Sequence, residues 1–409
     1  MSNIETTYQK KEHRQHIYDL PDTYIGSAAQ TLLPDAWVIE NENVIQKDIK
    51  YVPGLYKIFD EVLTNASDHK VRSSMQKDIR QVKNIKVHVT DDYISVENDG
   101  EGIDVEIHPK EKVYVPEMIF GQLLTSTNYK KEDQKTWGGK NGYGAKLANI
   151  FSTEFTVETV DEARKKKYSQ TWKDNMITSQ KPKVTAYSRL PYTKITFKPD
   201  FKRFGLKKMD DTKQIMERRV YDLAGLFGDE ITVFLNGKKI SLGTSKVMGS
   251  FEKYSNLYIG KSAETKRSYI KHKDWEVLAC MSRDNSFEQL SSVNGICTWR
   301  GGKHVDHVSD CIAKRLCETI KSKNKKNENI TPALVKANLR VFIKTSVANP
   351  DFDTQTKEDL TSKSKSFFSK FEPSQEFLDK LSKTGILERS LSVMNFKEKQ
   401  TLKKTDGTK

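Results

Sequence analysis

A chain of 409 residues is long enough for two or three domains, at roughly 100–200 residues each, and its 36% hydrophobic content supplies cores that disordered chains lack. No apolar run approaches the roughly 18 residues of a membrane span, and the opening MSNIETTYQKKEHRQ lacks the apolar stretch of a secretory leader. Lysine and arginine outnumber aspartate and glutamate by 69 to 55, a formal charge of +14 that points to a polyanionic partner such as nucleic acid, although soluble basic proteins without one share this balance.

In chain order, a polar arm over 1–20 precedes PDTYIGS (21–27), where Pro21 and Gly26 mark a loop. Leu55, Ile58, Phe59, Val62, Leu63 and Ala66 recur at three- and four-residue spacing and predict a helix over 54–72. Alternation predicts strands at Ile85, Val87, Val89 and at Ile94, Val96, with Asp91-Asp92 turning between them. Residues 126–144, poor in apolar groups and rich in Gly, Asn and Lys, have the composition of a flexible lid, after which a helix resumes with Ala145, Leu147, Ala148 and Ile150. Strand patterns follow at Thr156–Val160, Lys194–Phe197 and Glu230–Leu235, the last before the hairpin signal Asn236-Gly237. Composition shifts to Gly, Ser and Lys near 240–270, which predicts a domain boundary. Beyond it come a strand at 275–281, a Gly301-Gly302 turn, a helix from Val305 to Lys321, the lysine-rich break KSKNKK, a strand at Leu339–Val347 and a helical, increasingly polar end that looks like a linker cut short. Cys280, Cys297, Cys311 and Cys317 have neither CxxC nor zinc-ligand spacing and read as reduced, intracellular thiols.

Three stretches carry chemistry. In FDEVLTNASDH, Glu61 and Asn65 lie four apart, on one helix face. A carboxylate there can take a proton from attacking water while the amide oxygen ligates Mg2+, although an ordinary amphipathic helix also shows a charged face. In ENDGEGID, Gly100 and Gly102 allow close backbone approach to a planar ligand, and Asp99 is able to accept a hydrogen bond from an amine such as that of adenine; surface turns use the same residues. In TWGGKNGYGAK, Gly138, Gly139, Gly142 and Gly144 free backbone amides for phosphate oxygens, with Lys140 and Lys146 supplying charge, or simply make a flexible connection. It is neither a Walker loop nor GxGxxG, since Ala145 and Leu147 occupy the diagnostic positions. Ser126, Thr127 and Asn128 offer hydrogen bonds to ribose or phosphate. DTQTKEDL (Asp353–Leu360) alone reads as a polar loop. The runs RKKK (164–167) and KSKNKK (321–326) are solvated loops or, against DNA phosphates, salt-sensitive contacts.

Taken in order, YQK, PDTYIGS, FDEVLTNASD, ENDGEGI, PEMIFGQLLTSTNY, GGKNGYGAKLANIFS, YTKITFKPD, RGGKHVDHV and DTQTKE resemble the ATPase region of eukaryotic-type topoisomerase II from about Tyr8 to Leu360. The resemblance implies an α+β fold: a GHKL-type ATP-binding α/β sandwich, as in gyrase, MutL, ninety-kilodalton heat-shock chaperones and histidine kinases, followed by a ribosomal-protein-S5-like transducer domain. The implied layout is an exchanging arm at 1–20, the ATP-binding domain at 21–245, the transducer at 246–390 and a linker at 391–409. It implies ATP and Mg2+, with Glu61 activating water and Asn65 holding the metal. Asn98, Ser126, Thr127, Asn128 and the loop Lys140, Asn141, Gly142, Tyr143, Gly144, Ala145, Lys146 match nucleotide contacts. Gln355 and Lys357 match the transducer loop whose lysine reaches the γ-phosphate, and Tyr8 an arm tyrosine that crosses to the partner subunit's nucleotide.

Leu20, His69, Asp104, Thr127 and Lys140 depart from the family pattern without removing a group needed for hydrolysis, which suggests a divergent protist or viral member. Neither a toprim acidic cluster nor a DNA-cleaving tyrosine is present, so the chain looks like the N-terminal part of a longer enzyme. The expected function is a nucleotide-dependent, homodimerising gate that captures double-stranded DNA. Lys321, Lys323, Lys325 and Lys326 are candidate DNA contacts. The expected location is the nucleus, or a viral factory, host cytoplasm or virion, and no membrane is involved. The alternatives are a MutL-like or chaperone-like clamp, or a non-catalytic DNA-binding module.

Overall fold

The computed structural model describes residues 10–76, 78–125, 142–243, 245–260, 264–272, 274–323, 329–363, 365 and 367–406. Tyr8, Ser126, Thr127, Asn128, Lys140, Asn141, Lys325 and Lys326 lie outside the described residues, as does the side chain of Lys323. The chain forms two compact units that divide at 244/245.

In the first unit, α1 spans His13–Asp19, α2 Pro53–Met75, α3 Val115–Gly121, α4 Gly144–Ile150 and α5 Thr212–Phe227. The predicted helix is α2. Pro53 sits in its first turn, where a missing N–H costs nothing, and Leu55, Ile58, Phe59, Val62 and Leu63 are at most 1% exposed. α2 packs against α4, α5 and the strand Ile94–Asp99, so even its polar Lys57, Asp60, Glu61 and Asp68 are buried.

The mixed sheet runs Lys238–Lys239, Thr232–Leu235, Asn84–Val89, Ile94–Asp99, Tyr192–Pro199, Ser152–Asp161, Lys166–Lys173, Thr178–Ser179, with Lys183–Ala186 also on Lys166–Lys173. Only Thr232–Leu235 against Asn84–Val89 is parallel. Asn236 and Gly237, with φ of 48° and 82°, make the predicted two-residue turn.

The sequence reading missed the hairpin Thr31–Glu40/Asn43–Tyr51, whose turn uses Asn41 and Glu42 at positive φ. It also missed α5, although Ile215, Met216, Val220, Leu223 and Phe227 have helical spacing and are buried.

The second unit holds α6 (Ser250–Ile259), α7 (Lys303–Lys323), α8 (Pro332–Lys336), α9 (Gln375–Ser382) and α10 (Ile386–Asp406). Its sheet order is Arg267–His272, Trp275–Met281, Leu339–Thr345, Glu288–Val293, Ile296–Cys297. Val308, Ile312, Leu316 and Ile320 form one stripe of α7 and share a core with Val277, Val341 and Ile343. α6 falls where the sequence showed only a change of composition. All four cysteines are free thiols. No described helix is long and apolar enough to cross a membrane.

Candidate active site

Glu61, Asn65 and His69 stand at i, i+4 and i+8 of α2 and so share a face over roughly 12 Å of helix axis. At one end is the Glu61 carboxylate, 4% exposed. Its Oε1 accepts from Lys57 Nζ at 2.8 Å. Its Oε2 lies against α4, 2.3 Å from where a Gly144 Cβ would stand. Gly144 is therefore required by the carboxylate itself. Burial pulls the Lys57 ammonium down, but the charges of Glu61 and Asp60 and the hydrogen bond to Glu61 outweigh it, so Lys57 titrates above the usual lysine value.

Asn65, one turn on, is partly buried, and its carboxamide makes no hydrogen bond among the described residues. A single amide oxygen without a structural duty suits Mg2+, which takes few protein ligands and completes its shell with water and phosphate.

At the other end, Asn98 Nδ2 donates to His69 Nδ1 at 2.9 Å and to Asp99 O at 2.8 Å. Both amide hydrogens are used, which leaves Oδ1 as an acceptor for an exocyclic amine. Burial first, then the Arg72 charge, lower His69 to about 4 against an opposing Asp99, so the ring is neutral at pH 7 and serves as acceptor.

Two readings of the Asn-Asp-Gly turn are corrected. Asp99 does not offer its carboxylate to a base: Oδ1 accepts from Lys83 N and Asn84 N, and Oδ2 from Asn84 Nδ2 at 2.6 Å. Adjacent strand residues face opposite sides, so Asn98 faces α2 and Asp99 does not. Gly102 makes its close approach to the sheet, since a Cβ would stand 1.9 Å from Val160 O; Gly100, at φ 98°, is packed on Val82.

The glycine loop enters α4 through Gly142 (φ 69°) and Tyr143. Tyr143 meets His13 of α1 edge-on at 5.6 Å and Tyr24 at 6.2 Å between centroids. Ala145 and Lys146 are buried in the first turn of α4. Lys146 Nζ donates to Thr125 O at 2.7 Å and Gly142 O at 2.6 Å, tying together the two ends of the segment 126–141. Burial lowers its pKa from 10.5 to about 8.

Gln355 and Lys357 belong to the second unit. Lys357 is buried, at φ 62°, with its N–H donating to Thr354 O. Their loop is anchored on the Arg300–Gly302 segment: Gly301-Gly302 pairs in parallel with Asp359-Leu360, and Arg300 N donates to Glu358 O. Gly302, at φ 124°, lies so close that a Cβ would stand 2.4 Å from Leu360 O. The distant motifs RGGK and DTQTKE thus form one structure.

Of the basic runs, 164–167 is half committed: Arg164 pairs with Asp104, Glu106 and Asp161, and Lys167 with Glu158, while Lys165 and Lys166 are exposed. Lys321 is exposed near the end of α7. Sequence reasoning also missed Lys57, legible as an i, i+4 partner of Glu61, and His69 as the partner of Asn98.

This face carries a buried acid at one end and an amide acceptor at the other. The fold and site define the class: residues 51–201 match the family described as histidine kinase-, DNA gyrase B-, and HSP90-like ATPase, and residues 236–407 match DNA gyrase B. The crystal structure of the ATPase region of Saccharomyces cerevisiae topoisomerase II is 42% identical with a TM-score of 0.86, over 95% of this chain and 99% of that one. The ATPase and transducer domains of DNA topoisomerase II from Balamuthia mandrillaris are 38% identical at TM-score 0.89, over 97% and 100%. DNA topoisomerase 2 of Arabidopsis thaliana is 45% identical over 99% of this chain and 27% of its own length, and that of Acanthamoeba polyphaga mimivirus 43% over 99% and 32%. The chain belongs to the topoisomerase II family and spans about a quarter to a third of the curated relatives it matches.

Proposed function

We propose that the chain is the ATP-hydrolysing, dimerising entry gate of a type II DNA topoisomerase. In this reading adenine lies at the Asn98 end, its amine donating to Oδ1, and the triphosphate runs along α2 toward Glu61. Glu61 takes the proton of a water whose oxygen bonds to the γ-phosphorus as the bond to the β–γ bridging oxygen breaks. Asn65 would hold Mg2+, which when bound withdraws charge from the phosphate oxygens. Ser126, Thr127, Asn128 and the loop Lys140, Asn141, Gly142, Tyr143, Gly144, Ala145 and Lys146 surround ribose and phosphates with amides and two ammonium groups. Gln355 and Lys357 reach the γ-phosphate from the second unit, and Tyr8 of each arm reaches the other subunit's nucleotide. ATP binds the closed dimer better than the open one, and that difference drives closure. Double-stranded DNA is held by Lys321, Lys323, Lys325 and Lys326, in a nucleus or a viral compartment.

The observation that carries this reading is the buried Glu61 carboxylate, with one oxygen on Lys57 and the other against Gly144. Glu61→Gln should abolish phosphate release yet keep dimerisation driven by a non-hydrolysable ATP analogue, followed by cross-linking. Phosphate release at the parent rate would remove Glu61 as the base.

A further inference from the structure

Four charged side chains of the first unit are buried side by side: Lys57, Asp60, Glu61 and Arg219 are 3%, 7%, 4% and 1% exposed. Three belong to one turn of α2; Arg219 comes from α5. Such groups are costly to bury and stay ionised only in good mutual geometry. On spacing alone, Lys57 has two carboxylates to choose from, Asp60 at i+3 and Glu61 at i+4. The structure makes the choice: Lys57 Nζ is 2.8 Å from Glu61 Oε1 and 3.7 Å from Asp60 Oδ2. Asp60 is held at one oxygen, its Oδ1 accepting from Arg219 Nε at 2.8 Å, so that only the longer Oδ2 contact is left to Lys57.

We propose that Arg219 is a positioning residue for the general base. By occupying Asp60, it leaves Lys57 to hold Oε1 of Glu61, so that Oε2 is the oxygen turned toward Gly144 and the attacking water. This rests on Glu61 being the base. Without Arg219, Asp60 competes for the Lys57 ammonium, and Glu61 is free to rotate away from the Gly144 loop. Arg219 touches neither nucleotide nor water in this scheme; it acts through Asp60 and Lys57.

The test uses the whole chain and four variants, with phosphate release for kcat, equilibrium binding of a non-hydrolysable ATP analogue, and thermal melting. Arg219→Gln should lower kcat roughly tenfold or more, the scale of a sub-ångström misplacement, with analogue affinity within about threefold of the parent. Arg219→Lys should restore most of the rate. The double variant Asp60→Asn/Arg219→Gln removes the competitor together with its restraint, so its kcat should return to within about threefold of the parent. A purely structural ion pair predicts the opposite, a double variant as slow as the single one. The inference is overturned if folded Arg219→Gln keeps kcat within twofold, if the double variant stays slow, or if kcat and affinity fall together. If Arg219→Gln does not fold, the double variant, whose pair is neutral, decides: a parent-like rate supports the inference and a tenfold loss overturns it. Glu61→Gln separates the two ideas, since normal turnover there sinks the base assignment, whereas an inactive Glu61→Gln beside an unaffected Arg219→Gln sinks only the role of Arg219.

Discussion

Gly144→Ala puts one methyl group where the structure has no room. Its Cβ would stand 2.3 Å from Glu61 Oε2, 3.3 Å from Cδ and 3.4 Å from Cβ of the same side chain. Carbon and oxygen atoms in ordinary contact need more than about 3.4 Å, so Oε2 must retreat by about 1 Å. The carboxylate cannot swing freely, because its other oxygen is held at 2.8 Å by a buried ammonium. With Glu61 as the proposed base, a misplacement of about 1 Å costs about 100-fold in rate, or about 2.7 kcal/mol of transition-state stabilisation. Alanine suits the first turn of a helix at least as well as glycine, so α4 should form, although the overpacking should cost about 1–3 kcal/mol and lower the melting temperature modestly. The assay is steady-state phosphate release beside equilibrium binding of a non-hydrolysable analogue: kcat should fall about 100-fold while affinity changes less than about threefold. A folded variant with kcat within threefold of the parent would refute the argument that Glu61 must sit against this glycine.

His69 titrates at about 4 folded against 6.5 unfolded, a depressed value, so its contribution is fully present above pH 6.5 and lost as pH falls toward 4. It amounts to about 3 kcal/mol, and His69→Gln should flatten that part of an acid-denaturation curve. The same variant loosens Asn98, so discrimination of ATP over GTP analogues should drop about tenfold; unchanged selectivity would detach His69 from the purine end. In the proposed site a charged Lys146 meets phosphate, so analogue affinity should be full below pH 8 and decline as pH rises past the value of about 8 to which burial lowers it. Binding in Lys146→Gln should lack that decline between pH 7.5 and 9.5. Gly302→Ala meets both a positive φ and the Leu360 backbone and should cost on the order of 1–3 kcal/mol from conformation alone. Calorimetry should report the loss in the second unit, and an unshifted transition would show that the Gly302–Leu360 approach is not needed.

Local periodicity and motif order were enough to read α2, the strands at 85–89 and 94–96 (the second runs on to Asp99 in the structure), the Asn236-Gly237 turn, and the pairing of Glu61 with Asn65 on one face. Those features depend on neighbours within a few residues, or on a stripe that repeats along one element. The family followed from the same kind of information, since nine short motifs in one order constrain a chain far more than any one does alone. Side-chain duties were less legible. Asp99 and Asn98 are adjacent and chemically similar, and only the strand's pleat decides that Asn98 faces α2 while Asp99 braces Asn84. Gly102 and Gly144 looked alike as loop glycines, yet one makes room for a sheet carbonyl and the other for a carboxylate.

What the linear order determined was which residues could serve: an acid, an amide and a glycine loop in a family of nucleotide-driven enzymes. What tertiary structure alone decided was which atoms they present. Lys57 has two acidic neighbours within one turn, and nothing local prefers either. The choice falls to Arg219, 159 positions from Asp60, because its guanidinium holds Asp60 Oδ1 at 2.8 Å and leaves the other oxygen 3.7 Å from the ammonium, too long for a hydrogen bond.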